Sequence, residues 1–379
     1  MRIFVPKEIY PGEMRVPVVP STVAKLSELG ACVEIESTIG ETIGLRDDDF
    51  RQAGAEIIDN RENALSNADM ILRLRKPPHN EIERQKPGSV HISFLDPFNE
   101  KDLIHSFVKS GVSAISMELI PRTTLAQKMD ALSSQANLAG YVAVIVAADR
   151  LKRIFPMMMT PAGTLAPATV FIIGAGVAGL QAIATAKRLG ARVEAFDTRA
   201  VVGEQVKSLG GKFLKIDLGD TGETAQGYAK ALTEEQLQKQ REAMAKACSR
   251  ADVVITTAQV FGRRAPLIVT TDMVGGMRAG SVIVDLAIET GGNVECVRLD
   301  EEVEVGGVRV IGLCNMPARV SEHASQMYSS NLGNLIEHFW DKKENNFQLK
   351  TDDEILRGCL VTHDGKIVNE TVHARLEAK

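Results

Sequence analysis

The sequence predicts an α/β protein with two doubly wound domains, each built on a mostly parallel sheet. Short runs rich in Val and Ile alternate with helical patterns along most of the 379 residues, which is typical of parallel sheets with helices on both faces. The alternation occurs as two successive series, and the chain length suits two domains. Long helical segments separate the series, so we expect bridging helices and a cleft between the domains.

The strands are predicted from apolar runs bounded by turn residues. In the first series they are Arg2–Val5, Cys32–Glu36, Glu56–Ile58, Met70–Leu74, Ser89–Phe94 and Val112–Ser116. In the second series they are Val170–Ile173, Arg192–Phe196, Lys212–Leu214, Val253–Thr257, Ser281–Asp285 and Arg309–Ile311. Such Val- and Ile-rich runs fit strands that are buried on both faces.

Two long helical segments predict the domain boundaries. One runs from about Ser133 to Phe155 and the other from about Glu322 to Trp340. We therefore expect a first domain of residues 1–132 plus 325–379 and a second domain of residues 133–324. The polar C-terminal stretch is expected to return to the first domain.

The composition excludes several classes of protein. With 44% hydrophobic and 25% charged residues, the chain has enough apolar surface to fold. A net charge of −5 and an aromatic content of 4% argue against nucleic-acid binding. The longest nearly uncharged apolar stretch, Leu138–Ala148, is far short of the roughly 20 residues that span a bilayer. We therefore expect no membrane span, and the N-terminus shows no signal-peptide pattern.

The cysteines and histidines indicate neither a disulfide framework nor a metal site. The five cysteines form no CxxC pair, so we expect reduced, mostly buried thiols in a cytoplasmic protein. No two of the seven histidines have metal-ligand spacing, and no metal is expected.

The strongest local signal is a glycine-rich turn between an apolar strand and a helix. Gly174, Gly176 and Gly179 have the GxGxxG spacing, and the helical pattern that follows ends at Gly190. In such a turn the glycines permit a tight bend, close approach to a pyrophosphate, and close packing of helix on strand. The helix N-terminus offers N–H groups and a positive dipole end to phosphate. The pattern predicts dinucleotide binding in a Rossmann-like domain, and a purely structural turn is the alternative.

The next strand ends in an acid that predicts which nucleotide binds. Asp197 follows Gly179 at close to the spacing of about 20 residues at which an acid accepts the adenosine ribose hydroxyls. A carboxylate there repels a 2′-phosphate, which favours NAD(H) over NADP(H). Arg199 is the counter-argument, because an arginine can pair with a 2′-phosphate. The acid at the strand end weighs more.

Two polar segments accompany the turn. In the segment 122–133, Ser133 is expected to cap the following helix, and Asp130 to favour its N-terminus by charge. Capping does not explain Arg122 or Gln127, whose cation and amide suit the ribose and carboxamide of a nicotinamide. The segment 217–230 interrupts the alternation, and long irregular loops are usually functional or mobile. Tyr228, at its tip, is either a lid residue or a surface anchor.

Four motifs closely resemble the proton-translocating nicotinamide nucleotide transhydrogenases. They are Ser133–Tyr141 (SSQANLAGY), Phe155–Thr160 (FPMMMT), Gly174–Gly190 (GAGVAGLQAIATAKRLG) and Ser281–Gly292 (SVIVDLAIETGG). The resemblance covers essentially the whole chain and is to the NAD(H)-binding first domain, made in some bacteria as a separate alpha subunit.

The resemblance implies an activity and a set of partners. NADH held here would pass hydride to NADP+ held by a partner subunit, and membrane-spanning subunits would translocate the proton. It also implies a homodimer at the cytoplasmic face of the inner membrane, attached peripherally through those partners.

The resemblance also implies roles for individual residues. The candidate catalytic residues at the nicotinamide end are Arg122, Gln127, Asp130, Ser133 and, on a mobile loop, Tyr228. The other candidate cofactor-binding residues are Lys128, Met129, Gly174, Gly176, Val177, Gly179, Asp197, Thr198, Arg199, Gly227 and Gln259.

Alanine dehydrogenase, which shares the fold, is the nearest relative with a different activity. Arg75 and Asp96 stand where its substrate lysine and catalytic histidine fall, and Glu289 replaces a later acid that is usually Asp. Amino-acid oxidation needs a base to take protons, whereas hydride transfer between nicotinamides needs positioning. Arg15 still matches the shared pattern, which leaves a vestigial acid pocket open. An amino-acid dehydrogenase of the alanine or saccharopine type and a non-catalytic NAD sensor are the alternatives.

Overall fold

A computed structural model describes residues 1–216 and 233–377, and the chain divides into two compact units. Met1–Gln135 with Ala318–Lys379 forms the first unit, and Ala136–Pro317 forms the second. The predicted class, α/β with two mostly parallel sheets, is confirmed. The first unit is therefore discontinuous in sequence, with the second inserted into it.

Most predicted strands are present with ends shifted by one or two residues. In chain order the strands are β1 (Arg2–Val5), β2 (Cys32–Glu36), β3 (Glu56–Ile58), β4 (Met70–Leu72), β5 (Val90–Ser93), β6 (Ser113–Ser116), β7 (Met158–Thr160), β8 (Gly163–Leu165), β9 (Thr169–Ile173), β10 (Arg192–Phe196), β11 (Lys212–Phe213), β12 (Val253–Thr256), β13 (Val282–Asp285), β14 (Glu302–Val305), β15 (Val308–Ile311), β16 (Trp340–Asp341), β17 (Asn346–Phe347), β18 (Leu360–His363) and β19 (Lys366–Ile367).

The helices follow the strands in the alternation that the sequence predicts. In chain order they are α1 (Pro20–Glu28), α2 (Asp47–Gln52), α3 (Arg61–Asn67), α4 (His79–Ile82), α5 (Lys101–Lys109), α6 (Ala131–Arg150), α7 (Val177–Arg188), α8 (Gly203–Ser208), α9 (Glu234–Cys248), α10 (Thr271–Gly275), α11 (Ser321–His338), α12 (Glu354–Cys359) and α13 (Glu370–Glu377). Short 3-10 turns occur at Glu41–Ile43, Met117–Leu119, Gln127–Met129, Ala200–Val202, Ile288–Thr290 and Met316–Val320.

The sheet of the first unit has the strand order β19-β18-β6-β5-β4-β1-β2-β3. Strands β1 to β6 are parallel, and β18 and β19 extend the β6 edge in antiparallel fashion. The chain winds one way from β1 and the other way from β4. The carboxyl ends of β1 and β4 thus border a topological switch point, where ligands bind in open α/β sheets.

The sheet of the second unit has the strand order β11-β10-β9-β12-β13-β15-β14. Its switch point lies between β9 and β12, which pair in parallel. Strands β12 and β13 are buried along their whole length, as their apolar sequences predict. The glycine-rich turn begins where β9 ends, so it lies at this switch point.

Several strands were not predicted, and each lacks a long apolar run. Strand β14 pairs antiparallel with β15 at the sheet edge, with Glu302 and Glu304 exposed and Val303 and Val305 half-buried. Strands β7 and β8 form a two-stranded sheet of their own, and so do β16 and β17. Edge strands and hairpins bury one face at most, so their sequences carry a weaker signal.

Helix α6 is the helix predicted at Ser133–Phe155, and it extends over 20 residues, Ala131–Arg150. By length and apolar content it is able to cross a membrane, a test that core helices of soluble proteins also pass, and 44% of its apolar window is buried in the structure. The stretch Leu138–Ala148 underestimated the length of the nearly uncharged part of this helix, because uncharged polar residues before Leu138 extend it without adding charge.

Helix α11 belongs wholly to the first unit and fixes the loop that follows β1. The hydroxyl oxygens of Ser325 and Ser329 accept hydrogen bonds of 2.9 Å from the backbone N–H groups of Val16 and Val19. The Tyr328 hydroxyl donates to the carbonyl of Arg73, just after β4, over 2.8 Å. Helix α11 thereby holds the chain segments that line the carboxyl edge of the first sheet.

Candidate functional site

The glycine-rich turn between β9 and α7 adopts a conformation that requires glycine at two positions. Gly174 has a φ of +96°, in the left-handed region that side chains disfavour. A Cβ atom at Gly179 would lie 1.9 Å from the carbonyl oxygen of Gly174, so α7 packs directly against the turn. Both glycines are explained by the fold alone.

Gly176 is different, because the fold alone does not require it. A Cβ atom added there would meet no heavy atom within 4 Å among the described residues. Gly176 is the N-cap of α7, and as a glycine it has no side chain with which to cap the helix. Val177, which follows it, is 38% exposed. The positive end of α7 therefore faces open space, which fits the pyrophosphate of a dinucleotide.

Asp197, at the end of β10, makes hydrogen bonds with both carboxylate oxygens. Its Oδ2 accepts from the N–H of Ala175 over 2.8 Å, and its Oδ1 accepts from the N–H of Arg199 over 2.9 Å. The guanidinium of Arg199 donates to the two oxygens over 3.0 Å each. Asp197 thus connects the glycine-rich turn to the end of β10. Arg199 and Asp197, which the sequence analysis set against each other in the choice between NAD(H) and NADP(H), form an ion pair. Thr198, between them, is half-buried.

The segment 122–133 belongs to the first unit and has buried anchors between exposed side chains. Ala126 and Met129 lie in the hydrophobic core, so Met129 has only its backbone toward a ligand. Gln127 and Lys128, in the 3-10 turn, are exposed, and so is Arg122. The segment therefore exposes the cation of Arg122 and the amide of Gln127, the two groups that the sequence predicts for a nicotinamide.

Asp130 immediately precedes α6 and caps it. Its Oδ1 accepts from the N–H of Ser133 over 2.9 Å, and its Oδ2 accepts from the Ser133 hydroxyl over 2.6 Å. The expectation that Ser133 caps the helix is wrong, because Ser133 is the donor and Asp130 the acceptor. The carboxylate suits this position, since the negative charge faces the positive end of the helix dipole.

Gln259 is a predicted site residue in the second unit. It lies past the end of β12 and is exposed, and its amide donates to the carbonyl of Leu286 over 2.9 Å. It therefore joins the ends of β12 and β13. Gly227 and Tyr228, with the whole of the segment 217–230, lie outside the described residues.

The carboxyl edge of the first sheet carries a buried ion-pair cluster that the sequence analysis did not predict. The Glu13 carboxylate accepts two hydrogen bonds of 2.7 Å from the guanidinium of Arg15 and one of 2.7 Å from Arg75. Arg15 also donates to Gln135 over 2.8 Å. Burial alone would raise the pKa of Glu13, but the hydrogen bonds and charges of Arg15 and Arg75 outweigh it and lower that pKa to about 2. Glu13 is therefore a carboxylate at neutral pH.

A second carboxylate organises the neighbouring strand end. Glu118 accepts hydrogen bonds from the backbone N–H groups of Leu95 and Asp96 at 2.6–3.1 Å. Burial raises the pKa of Glu118, against the lowering effect of these bonds and of the Ser116 hydroxyl. Asp96 itself has a φ of +50°. Asp96, which the resemblance matches to the alanine dehydrogenase histidine, thus has a left-handed backbone conformation.

The cysteines differ from the expectation that most are buried. Cys248 and Cys359 are buried, whereas Cys32 is exposed and Cys296 and Cys314 are intermediate. Burial raises the pKa of Cys248 and Cys359 to about 12, so these two thiols are unreactive at neutral pH.

One group of side chains in the described ranges has donor atoms close enough to share a metal ion. It comprises Cys32, Glu34 and Glu56, whose ligand atoms lie within 4.8 Å of one another. Glu34 is ion-paired with Arg2 over 3.1 Å, and the group lies on β2 and β3, outside the switch point between β1 and β4 of the same sheet.

These features define a doubly wound α/β protein with a dinucleotide-type glycine turn. Residues 4–139 match the family model described as alanine dehydrogenase/PNT, N-terminal domain, and residues 143–370 match the model of the C-terminal domain. The chain belongs to the alanine dehydrogenase/PNT family.

Within the family, the resemblance to transhydrogenase alpha subunits is confirmed. An NAD(P) transhydrogenase alpha-subunit protein of Rhodospirillum rubrum is 45% identical over 376 residues, which are 97% of this chain and 98% of that protein. A crystal structure of transhydrogenase from Sinorhizobium meliloti superposes with a TM-score of 0.87 at 41% identity, covering 97% of this chain and 100% of the other. An L-alanine dehydrogenase structure has a TM-score of 0.82 at 27% identity, covering 100% and 99%.

Proposed function

We propose that this chain is the NAD(H)-binding alpha subunit of a proton-translocating transhydrogenase. The observation that carries the proposal is the open space at Gly176, the N-cap residue of α7. A glycine that packing does not require is explained by a ligand that approaches the backbone there. The high similarity to NAD(P) transhydrogenase subunits supports the same conclusion.

The residues of the second unit bind the adenosine and pyrophosphate half. The first turn of α7, with Val177, offers its N–H groups and dipole to the phosphates. Asp197 accepts the ribose hydroxyls once Arg199 turns away from its carboxylate, because the guanidinium and two backbone N–H groups otherwise fill that carboxylate. Thr198 and Gln259 are the further proposed contacts of this half of the nucleotide.

The same ion pair supports a preference for NAD(H) over NADP(H). Arg199 is already neutralised by Asp197, so it offers no uncompensated charge to a 2′-phosphate. Releasing Arg199 exposes the Asp197 carboxylate, and an unpaired like charge costs several kcal/mol at an interface. NADP(H) is therefore assigned to the partner subunit.

The segment 122–133 orients the nicotinamide end. Gln127 and Lys128 project from an anchored turn, and Arg122 is exposed nearby in sequence. Asp130 and Ser133, locked in the helix cap, contribute a fixed edge to the site. Tyr228 and Gly227, on the mobile loop implied by the resemblance, complete the proposed set. When bound, the dihydronicotinamide supplies the hydride that passes to NADP+ on the partner.

A dehydrogenase of the alanine type is the second candidate, and three observations oppose it. That reaction needs a general base, and the histidine position is Asp96 in a tight turn held by Glu118. The lysine position is Arg75, and both Arg75 and Arg15 are already paired with Glu13. A substrate carboxylate would have to displace an internal one.

The proposed partners are a second copy of this chain and the NADP(H)-binding and membrane-spanning subunits. Residues 156–166, which include β7 and β8, are exposed along their whole length, with Met159 at 74%. An exposed apolar hairpin is typical of a protein–protein contact, and we assign it to the homodimer.

We expect a Met159→Asp variant to sediment as a monomer. An unchanged dimer would show that the hairpin is not part of the dimer contact. We propose that the partner subunits hold the chain at the cytoplasmic face of the inner membrane.

Reconstitution tests the proposal directly. The chain is mixed with the NADP(H)-binding subunit of a related transhydrogenase, and hydride transfer from NADPH to an NAD analogue is followed, with alanine plus NAD in parallel. We expect transfer in the first assay and none in the second. Alanine turnover on the order of 1 s⁻¹ would refute the proposal in favour of the dehydrogenase. Binding without either activity would favour an NAD sensor.

A further inference from the structure

A buried amide on α11 holds the turn that carries Gln127 and Lys128. The Asn331 side-chain N–H donates to the carbonyl of Lys128 over 2.8 Å. Its Oδ1 accepts from the hydroxyl of Ser134 over 2.7 Å. Asn331 is 7% exposed, so both bonds form where an unsatisfied partner is costly.

The two partners of Asn331 lie on either side of Asp130. Lys128 precedes that residue, and Ser134 lies in the first turn of α6. One side chain therefore connects the 3-10 turn with the start of the helix, across the capping aspartate.

A second amide reaches the same carbonyl from a more exposed position. The Asn334 side-chain N–H donates to Lys128 over 3.2 Å, and its Oδ1 accepts from Lys25 over 3.2 Å. The longer bond near solvent contributes less, because water replaces it readily. Asn334 is thus a natural control for Asn331.

The 3-10 turn Gln127–Met129 is also held by the hydrophobic core. Ala126 and Met129 are in the core, and the Met129 N–H donates to the Ala126 carbonyl over 2.8 Å. We propose that Asn331 is a positioning residue for hydride transfer, an inference that rests on the proposed function. It sets the backbone of Lys128, and through it the direction in which Gln127 meets the nicotinamide.

The test compares Asn331→Asp with Asn334→Asp. At Asn331 the change keeps an acceptor for Ser134 but places a second oxygen against the Lys128 carbonyl, which displaces the turn. A displacement of ~1 Å costs about 100-fold in rate, so we expect single-turnover hydride transfer at saturating nucleotide to fall by at least about tenfold. The dissociation constant for NADH should change less than about threefold, since most contacts lie at the pyrophosphate and adenosine end. Asn334→Asp should change both quantities less than about threefold.

Two further measurements separate the outcomes. Backbone amide exchange at Met129 is expected to accelerate in Asn331→Asp and not in Asn334→Asp, and this readout requires no partner subunit. An unaltered transfer rate in a folded variant with a lowered melting temperature would overturn the proposal, because Asn331 would then be purely structural. Equal losses in rate and in NADH affinity would also overturn it.

The proposed function and this inference fail in different ways. If the unmodified chain transfers no hydride with its partner, the proposed function fails. Independently of that result, unchanged amide exchange at Met129 in Asn331→Asp would overturn the positioning role of Asn331. If Asn331→Asp does not fold, Ser134→Ala removes the hydroxyl partner alone and is expected to slow transfer about threefold. No slowing in that variant would contradict the proposal.

Discussion

The two sheets are wound in the same order, but the carboxyl edge is open in one and occupied by charged side chains in the other. In the second unit the edge presents a glycine turn with open space at Gly176. In the first unit the edge is filled by its own charges, with Glu13 bound to Arg15 and Arg75 and Glu118 bound to backbone N–H groups. The topology of a doubly wound sheet therefore provides a space for a ligand at the switch point, and the side chains at the strand ends determine whether that space is occupied.

The largest expected effect comes from closing the open edge. Gly176→Ala adds a methyl group to empty space, so the free energy of unfolding should fall by only the ~1 kcal/mol typical of an N-cap change. NADH affinity should fall at least tenfold, because the methyl group occupies the approach of the pyrophosphate. Calorimetric titration and a melting curve measure both quantities.

Gly179→Ala is the matched control for that change. Its methyl group would lie 1.9 Å from the Gly174 carbonyl oxygen, so stability and binding should fall together. If Gly176→Ala bound NADH normally, the glycine would be structurally indifferent and the turn would lose its assignment as the phosphate site.

The next effect comes from removing a charge from the occupied carboxyl edge of the first sheet. Glu13→Gln removes the carboxylate that pairs with the buried guanidinium of Arg15 and the half-buried guanidinium of Arg75, so we expect the free energy of unfolding at pH 7 to fall by about 3 kcal/mol. The pKa of Glu13 is lowered from 4.5 to about 2, so its contribution is complete above pH 4.5 and is lost as the pH falls toward 2.

Denaturant unfolding at several pH values tests this expectation. The difference between the two proteins should shrink steadily below pH 4.5. A difference that stays constant down to pH 3 would mean that the Glu13 charge does not stabilise the edge. Glu204→Gln, which breaks a surface ion pair with Lys207, should have no measurable effect.

The smallest effect concerns Asp197 and Arg199, whose ion pair occupies part of the carboxyl edge of the second sheet. Asp197→Asn should reduce the preference for NADH over NADPH by about tenfold, because the repulsion of the 2′-phosphate is removed. Arg199→Ala should keep the preference and change NADH affinity less than about threefold, since a competitor for the carboxylate is lost together with a contact. Fluorescence titration with both nucleotides decides. Loss of the preference in Arg199→Ala alone would make Arg199 the selective group.

The sequence predicted best what is local. The Gly174–Gly179 spacing, the apolar strand before it and Asp197 at the next strand end lie within a short stretch of chain, and each follows from backbone geometry. Helix α6 was predicted for the same reason, although its N-terminal cap was assigned to Ser133 instead of Asp130. A serine and an aspartate three residues apart are both good caps, so propensity alone does not choose between them.

What the sequence did not predict is long-range. Asn331 and Lys128 are 203 residues apart, and the pairing of Glu13 with Arg75 spans 62 residues. Both depend on which strand ends the fold brings together. A glutamate two residues before an arginine, in Glu13-Met14-Arg15, was the one available signal, because such a pair can lock a loop.

The discontinuous first unit has a consequence for how the protein is made. Translation completes the second unit at Pro317, whereas the first still lacks residues 318–379. Those residues supply core side chains such as Tyr328, Leu332 and Leu335, together with the β18 edge of the sheet. Because domains generally fold as units, the inserted unit is able to fold on the ribosome while the N-terminal residues still lack residues 318–379. A stop codon within 318–379 would therefore remove core residues from the unit whose synthesis began first.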